Sequence, residues 1–180
     1  LGGGDITVGA FDESLRHAIT KLSHLHFCYG KAQAEKVLQL GENPKYVTVT
    51  GNPSLDGLDE SYGEPIAQGA LVFVFHPVSF EYENTDLYID NLLAALKQRS
   101  EPIVFILPNA DTYSRMIIKR MRRFPNSQAH ANLFPPVYYD LLRHSLAMVG
   151  NSSSALMEAP SFSLPAVNIG TRQEGRVRGQ

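Results

Sequence analysis

Leu71-Val72-Phe73-Val74-Phe75-His76-Pro77 is the stretch on which the fold turns. Five apolar residues run without a polar break, too few for a helix and too continuous for a strand with one wet face. Such a run fits a strand covered on both sides, as parallel sheets require. Working outward, 84–99 has helical spacing, 103–107 is a second apolar strand, and 114–123 is a basic helix. A helix over 138–143, a strand over 146–149, a helix start over 154–159 and a last strand over 166–169 follow. Upstream, Asp12-Glu13-Ser14 opens a helix that continues through Leu15, Ala18, Ile19 and Leu22, with acids near its positive end. Residues 25–29 read as a short buried strand, 31–40 as a helix stopped by Gly41, and 46–50 as a β-branched strand. The segment 56–68 is polar, holds Gly57, Gly63 and Pro65, and reads as a linker. Strands alternating with helices predict a parallel α/β sheet. The expected organisation is two α/β units, 1–60 and 61–180, the first truncated at its N-terminus and the second incomplete at its C-terminus.

Composition narrows the function. Of 180 residues, 43% are hydrophobic, enough for one large domain or parts of two. Lys and Arg number 16 against 18 Asp and Glu, a formal charge of -2, which argues against a general nucleic-acid partner. The single cysteine, Cys28, excludes an intramolecular disulfide framework and fits a reducing compartment. No apolar run approaches the ~20 residues of a bilayer span, and no signal peptide is visible. The expectation is a cytoplasmic protein with no membrane partner. The chain starts Leu1-Gly2-Gly3-Gly4-Asp5 without a Met and stops at Arg178-Gly179-Gln180, so both ends read as cuts through a longer protein.

Ligands of open α/β sheets bind beyond the carboxyl ends of the strands. Four such ends carry polar groups here. The strand at 146–149 runs into Gly150-Asn151-Ser152-Ser153-Ser154, where small residues free backbone amides at a helix start, an arrangement suited to phosphate. An ordinary serine-rich cap fits the same pattern. Glu158, one turn beyond Ser154, can accept two hydrogen bonds from a ribose diol or be a surface acid. The strand ending at Phe75 delivers His76, which faces a cleft or is a satisfied structural histidine. The strand ending at Leu107 delivers Asn109, with an Asx turn as the alternative. The last strand delivers Arg172, with Arg176 behind it, and guanidinium forks match diphosphate oxygens. Together the four ends favour a nucleotide-like anion. A P-loop and a zinc spacing are both missing from the sequence. The group 119–123 reads as a solvated basic helix end.

Gly4-Asp5-Ile6-Thr7, the run from Asp12 to Lys21, Gly150-Asn151-Ser152-Ser153-Ser154 with Glu158-Ala159-Pro160, and Asn168 through Arg176 resemble the UDP-N-acetylglucosamine 2-epimerase family. The Asn-Ser-Ser-Ser form and the Arg-Gln-x-Gly-Arg ending are similar to its hydrolysing branch. The resemblance runs in order over essentially the whole chain. It implies two Rossmann-like domains of the B-type glycosyltransferase architecture facing a cleft, the first missing its N-terminal part. It further implies inversion at C2 of UDP-N-acetylglucosamine with release of UDP and N-acetylmannosamine, for sialic-acid-type sugar biosynthesis. A UDP-diacetamido-dideoxy sugar is the alternative substrate, and a non-catalytic nucleotide-sugar-binding domain the alternative role.

In that frame Asp12 aligns with a family acid/base carboxylate, with Glu13 as its fallback, and Arg16 positions a carboxylate or the diphosphate. His76 contacts the nucleotide sugar. Asn109, Ser152, Ser153, Ser154, Glu158, Arg172 and Arg176 complete the expected UDP contacts. Gly2 stands where relatives often carry a proton-transferring Glu or His, which leaves Asp5, another residue or an impaired site to account for that step. The implied chemistry needs no metal or redox cofactor. The expected partners are the UDP-sugar and further copies of the chain, in a homodimer or higher homo-oligomer.

Overall fold

The computed structural model of the chain describes residues 12–56, 58, 64–78, 81–109 and 113–177. Leu71–Val74 forms β3, the central strand of a five-stranded parallel sheet. Its neighbours are β4 (Ile103–Ile106) on one side and β6 (Ala147–Gly150) on the other. β5 (Ser127–His130) pairs with β4, and β7 (Ala166–Asn168) pairs with β6, giving the order β5-β4-β3-β6-β7. The chain leaves β3 towards one edge and returns to start β6 on the other side of it. That reversal places the switch point between the carboxyl ends of β3 and β6.

Alternation along β3 sorts its side chains by size. Leu71 and Phe73 pack with Ile103 and Phe105 against α3 (Thr85–Leu96) and α4 (Ser114–Arg122), through Ile89, Leu93, Ile117 and Met121. Phe73 meets Phe105 edge-on at 5.5 Å, and Phe105 meets Phe124 in the same way at 5.6 Å. Val72 and Val74 face the opposite layer, where Leu141 and Leu142 of α5 (Pro135–Arg143) and Ala155 of α6 (Ser154–Met157) cover them. All four β3 side chains are buried, as the unbroken apolar run predicts.

Two helices differ from the sequence reading. α5 starts at Pro135 rather than 138, because proline at the first helical positions sacrifices no internal hydrogen bond. α6 is a single turn, giving way to a 3-10 segment over Ala159–Phe162. Pro160 has no N–H to offer the preceding turn and disfavours helical backbone at Ala159.

The N-terminal unit holds α1 (Asp12–Leu22), β1 (His26–Cys28), α2 (Lys31–Gln39) and β2 (Val47–Val49), with β1 and β2 paired in parallel. Glu42 joins its parts, meeting Lys21 Nζ at 2.7 Å and His26 Nε2 at 3.2 Å. The Lys21 hydrogen bond holds the Glu42 carboxyl below its ordinary range. Only one face of β1 is buried: His26 and Cys28 point inward, whereas Phe27 is 63% exposed. On α1, Leu15 and Leu22 are exposed too, so the apolar stripe read from the sequence exists but is left uncovered among the described residues. No described helix is long and apolar enough to cross a membrane.

Candidate functional site

β6 ends on Gly150, whose φ of +143° is open to glycine and whose added Cβ would lie 1.8 Å from the Val74 carbonyl oxygen. This close approach lets Asn151 N donate back to Val74 O at 3.0 Å. The Asn151 side chain, fully buried, then reaches the adjacent loop. Its Oδ1 accepts from His76 N at 2.7 Å and its Nδ2 donates to His76 O at 2.8 Å. The Asn151 backbone carbonyl accepts from Arg172 Nη1 at 3.1 Å and from Gln173 Nε2 at 2.8 Å. One residue therefore fixes the loops after β3, β6 and β7 around the switch point.

A second tie joins the segments after β3 and β7. Thr171 Oγ1 donates to Glu81 Oε1 at 2.6 Å, and Tyr88 of α3 donates to the other carboxylate oxygen at 2.9 Å. The Glu81 bond also pushes the Tyr88 phenol above its ordinary value.

The electrostatics favour an anion. Burial and the nearby Arg172 guanidinium lower the His76 pKa to about 4, so the imidazole is neutral at neutral pH while Arg172 keeps its charge. Ser154 is buried and its Oγ lies 2.5 Å from Tyr138 Oη of α5. Burial, with Glu158 adding to it, raises the Tyr138 phenol to about 12. Ser154 N donates to Ser152 Oγ at 3.3 Å, and Glu158 N to Ser154 O at 3.0 Å. Since α6 is one turn long, its macrodipole is small. What the loop offers a phosphate is hydroxyls, amides and Arg172.

The expected site residues fall into groups. His76, Ser152, Ser153, Ser154 and Arg172 gather where β3, β6 and β7 end. Glu158 follows α6, and Arg176 packs on that helix with Nη1 3.8 Å from Met157 Sδ. Asn109 is exposed at the carboxyl end of β4. Glu13 and Arg16 ride on α1, beside the other sheet. Asp12 opens α1, but its side chain, like Asp5 and Gly2, lies outside the described residues. Tyr138, Asn151, Glu81, Thr171 and Gln173 escaped the sequence reading as site residues. For Tyr138 a signal existed: a hydroxyl-bearing ring one residue from Tyr139, on the helix feeding the serine-loop strand.

Comparison with known proteins agrees with this geometry. The family model described as UDP-N-acetylglucosamine 2-epimerase matches residues 1–180. A UDP-N-acetylglucosamine 2-epimerase of Neisseria meningitidis serogroup B is 32% identical over 195 residues, covering 100% of this chain and 51% of the relative. A Campylobacter jejuni protein named GDP/UDP-N,N'-diacetylbacillosamine 2-epimerase (hydrolyzing) is 33% identical, with 100% and 51% covered. Among solved structures, the N. meningitidis UDP-GlcNAc 2-epimerase bound to UDP-GlcNAc superposes with a TM-score of 0.72 at 19% identity, over 97% of this chain and 53% of that one. The shared fold is the B-type glycosyltransferase architecture of two Rossmann-like domains. The chain spans about half the length of the curated relatives it matches. Matched over residues 1–180, this chain belongs to the UDP-N-acetylglucosamine 2-epimerase family.

Proposed function

We propose that this protein is a hydrolysing UDP-N-acetylglucosamine 2-epimerase, acting in the cytoplasm as a homodimer or higher homo-oligomer. It removes the C2 proton, expels UDP, and adds water to the resulting glycal so that free N-acetylmannosamine leaves. The observation that supports this reading is the convergence of Arg172, neutral His76 and the serine loop at the switch point, a donor-rich surface suited to the charge of a leaving diphosphate. Preorganised donors of this kind commonly contribute ~10²–10³-fold each. In the same reading Ser152, Ser153, Ser154, Arg172 and Arg176 take the diphosphate, Glu158 the ribose, and His76 and Asn109 the rest of the nucleotide sugar. Asp12, with Glu13 and Asp5 as its alternates, supplies proton transfer from the first unit, and Arg16 positions a carboxylate or the diphosphate there. General acid–base assistance is worth roughly 10²–10⁴-fold. The boundary between the units is assigned near residue 60, supported by the two separate sheets.

A diacetamido-dideoxy UDP-sugar is the second substrate reading, favoured by the similarity to the Campylobacter relative. Incubating full-length protein with each UDP-sugar and following proton and phosphorus NMR tests both. Equal amounts of free UDP and N-acetylmannosamine are expected from UDP-N-acetylglucosamine. Interconversion of two UDP-sugars without UDP release would overturn the hydrolytic step. UDP binding without turnover of either sugar would leave a nucleotide-sugar-binding domain.

A further inference from the structure

Tyr138 stands outside every role assigned above, yet among the described residues its hydroxyl meets Ser154 Oγ at 2.5 Å. Both groups are largely enclosed, and each carries one proton and can accept. Only one of the two protons occupies the bond between them. The other is free to serve a further acceptor. Two polarities are possible: tyrosine donates and leaves the serine proton free, or serine donates and leaves the phenol proton free. Phosphate oxygens only accept, so an anion at the serine loop selects the first polarity. Burial keeps the phenol protonated, with its pKa raised to about 12, and Glu158 works in the same direction. Tyr138 is thus held as a donor throughout the working pH range.

We propose that Tyr138 is a positioning residue for the diphosphate: its O–H donates to Ser154 Oγ and turns the Ser154 hydroxyl proton towards the phosphate. This rests on the reading that the serine loop takes the diphosphate of UDP. A tyrosine is suited to the task, because its ring packs against the apolar core while its hydroxyl reaches Ser154 of α6. The arrangement depends on hydroxyl chemistry and owes nothing to the one-turn helix behind it.

The test compares UDP with uridine, which keeps the base and ribose but has no phosphate. Calorimetry on the full-length protein should show Tyr138→Phe binding UDP about 3–10-fold more weakly while uridine affinity stays at the parent value. A loose pocket would weaken both ligands, and that equal loss would overturn the positioning role. Unchanged UDP affinity in Tyr138→Phe would overturn it as well. Should the variant melt before binding can be measured, 3-fluorotyrosine placed at position 138 supplies a stronger donor with the ring retained. The preference for UDP over uridine should then rise, and a constant preference would contradict the proposal. Failure of the parental protein itself to bind UDP would instead defeat the serine-loop reading, and the proposal with it.

Discussion

The carboxamide of Asn151 grips the backbone of His76 on both sides, accepting from its N–H at 2.7 Å and donating to its C=O at 2.8 Å. The two residues are 75 positions apart, on loops that follow neighbouring strands. Just past the last β3–β6 pair, Val74 with Gly150, the clamp continues the link between the two loops through a side chain. Asn151→Ala leaves two backbone groups of a part-buried loop without their partners. The expected loss is roughly 2–4 kcal/mol of stability, read by chemical or thermal unfolding. Asn151→Asp keeps the acceptor but sets a buried carboxylate oxygen against the His76 carbonyl, and should cost at least as much as the alanine variant.

Gly150 gives the harsher result. A Cβ there would meet the Val74 carbonyl oxygen at 1.8 Å, and that oxygen belongs to the backbone of the paired central strand, which cannot swing aside as a side chain could. Gly150→Ala should cost about 3 kcal/mol or more, or prevent cooperative folding altogether. Circular dichroism melts of parent and variant decide it.

His76 links stability to acidity, and the sign follows from its lowered pKa. The unfolded chain takes up the proton near pH 6.5, whereas the folded one resists until about pH 4. Its contribution is therefore full above pH 6.5 and declines as the pH falls towards 4. His76→Asn should remove this part of the acid sensitivity, giving a flatter unfolding free energy between those two values. A variant as steep as the parent would place the titration elsewhere.

Glu158 is the residue assigned to the ribose. Glu158→Gln keeps the shape and removes the charge, so UDP should bind about 1–3 kcal/mol more weakly in calorimetry, with the melting temperature nearly unchanged. Parental affinity would leave Glu158 as a neighbour of Tyr138 and Tyr139 with no part in ribose binding.

The β3 run and the helices after it are legible in sequence because a strand covered on both faces must be apolar throughout. β5 was missed for the converse reason. Ser127-Gln128-Ala129-His130 sits at the edge, pairs only with β4 and keeps partly wet side chains, so no hydrophobic run marks it. The strand-end residues His76, Ser152, Ser153, Ser154 and Arg172 were legible from residue type and position. Asn151 was visible within the motif, but its task depends on a loop 75 residues away. Local pattern carries no trace of such a contact. Tyr138 read as one more helix residue because the Ser154 hydroxyl that gives it meaning belongs to another element. The exposed face of α1 shows the same limit: Leu15, Ile19 and Leu22 announce a buried stripe, and no described element covers it.

The central claim is that UDP occupies the switch point between β3 and β6. Titrating isotope-labelled protein with UDP and following backbone amide shifts by NMR tests it most directly. The expected result is that the largest shifts fall on His76, on Asn151 through Ser154 and on Arg172, with Leu96, Ile103 and Phe124 at the opposite end of the sheet unmoved. Shifts concentrated at that opposite end, or no shifts at saturating UDP, would contradict it.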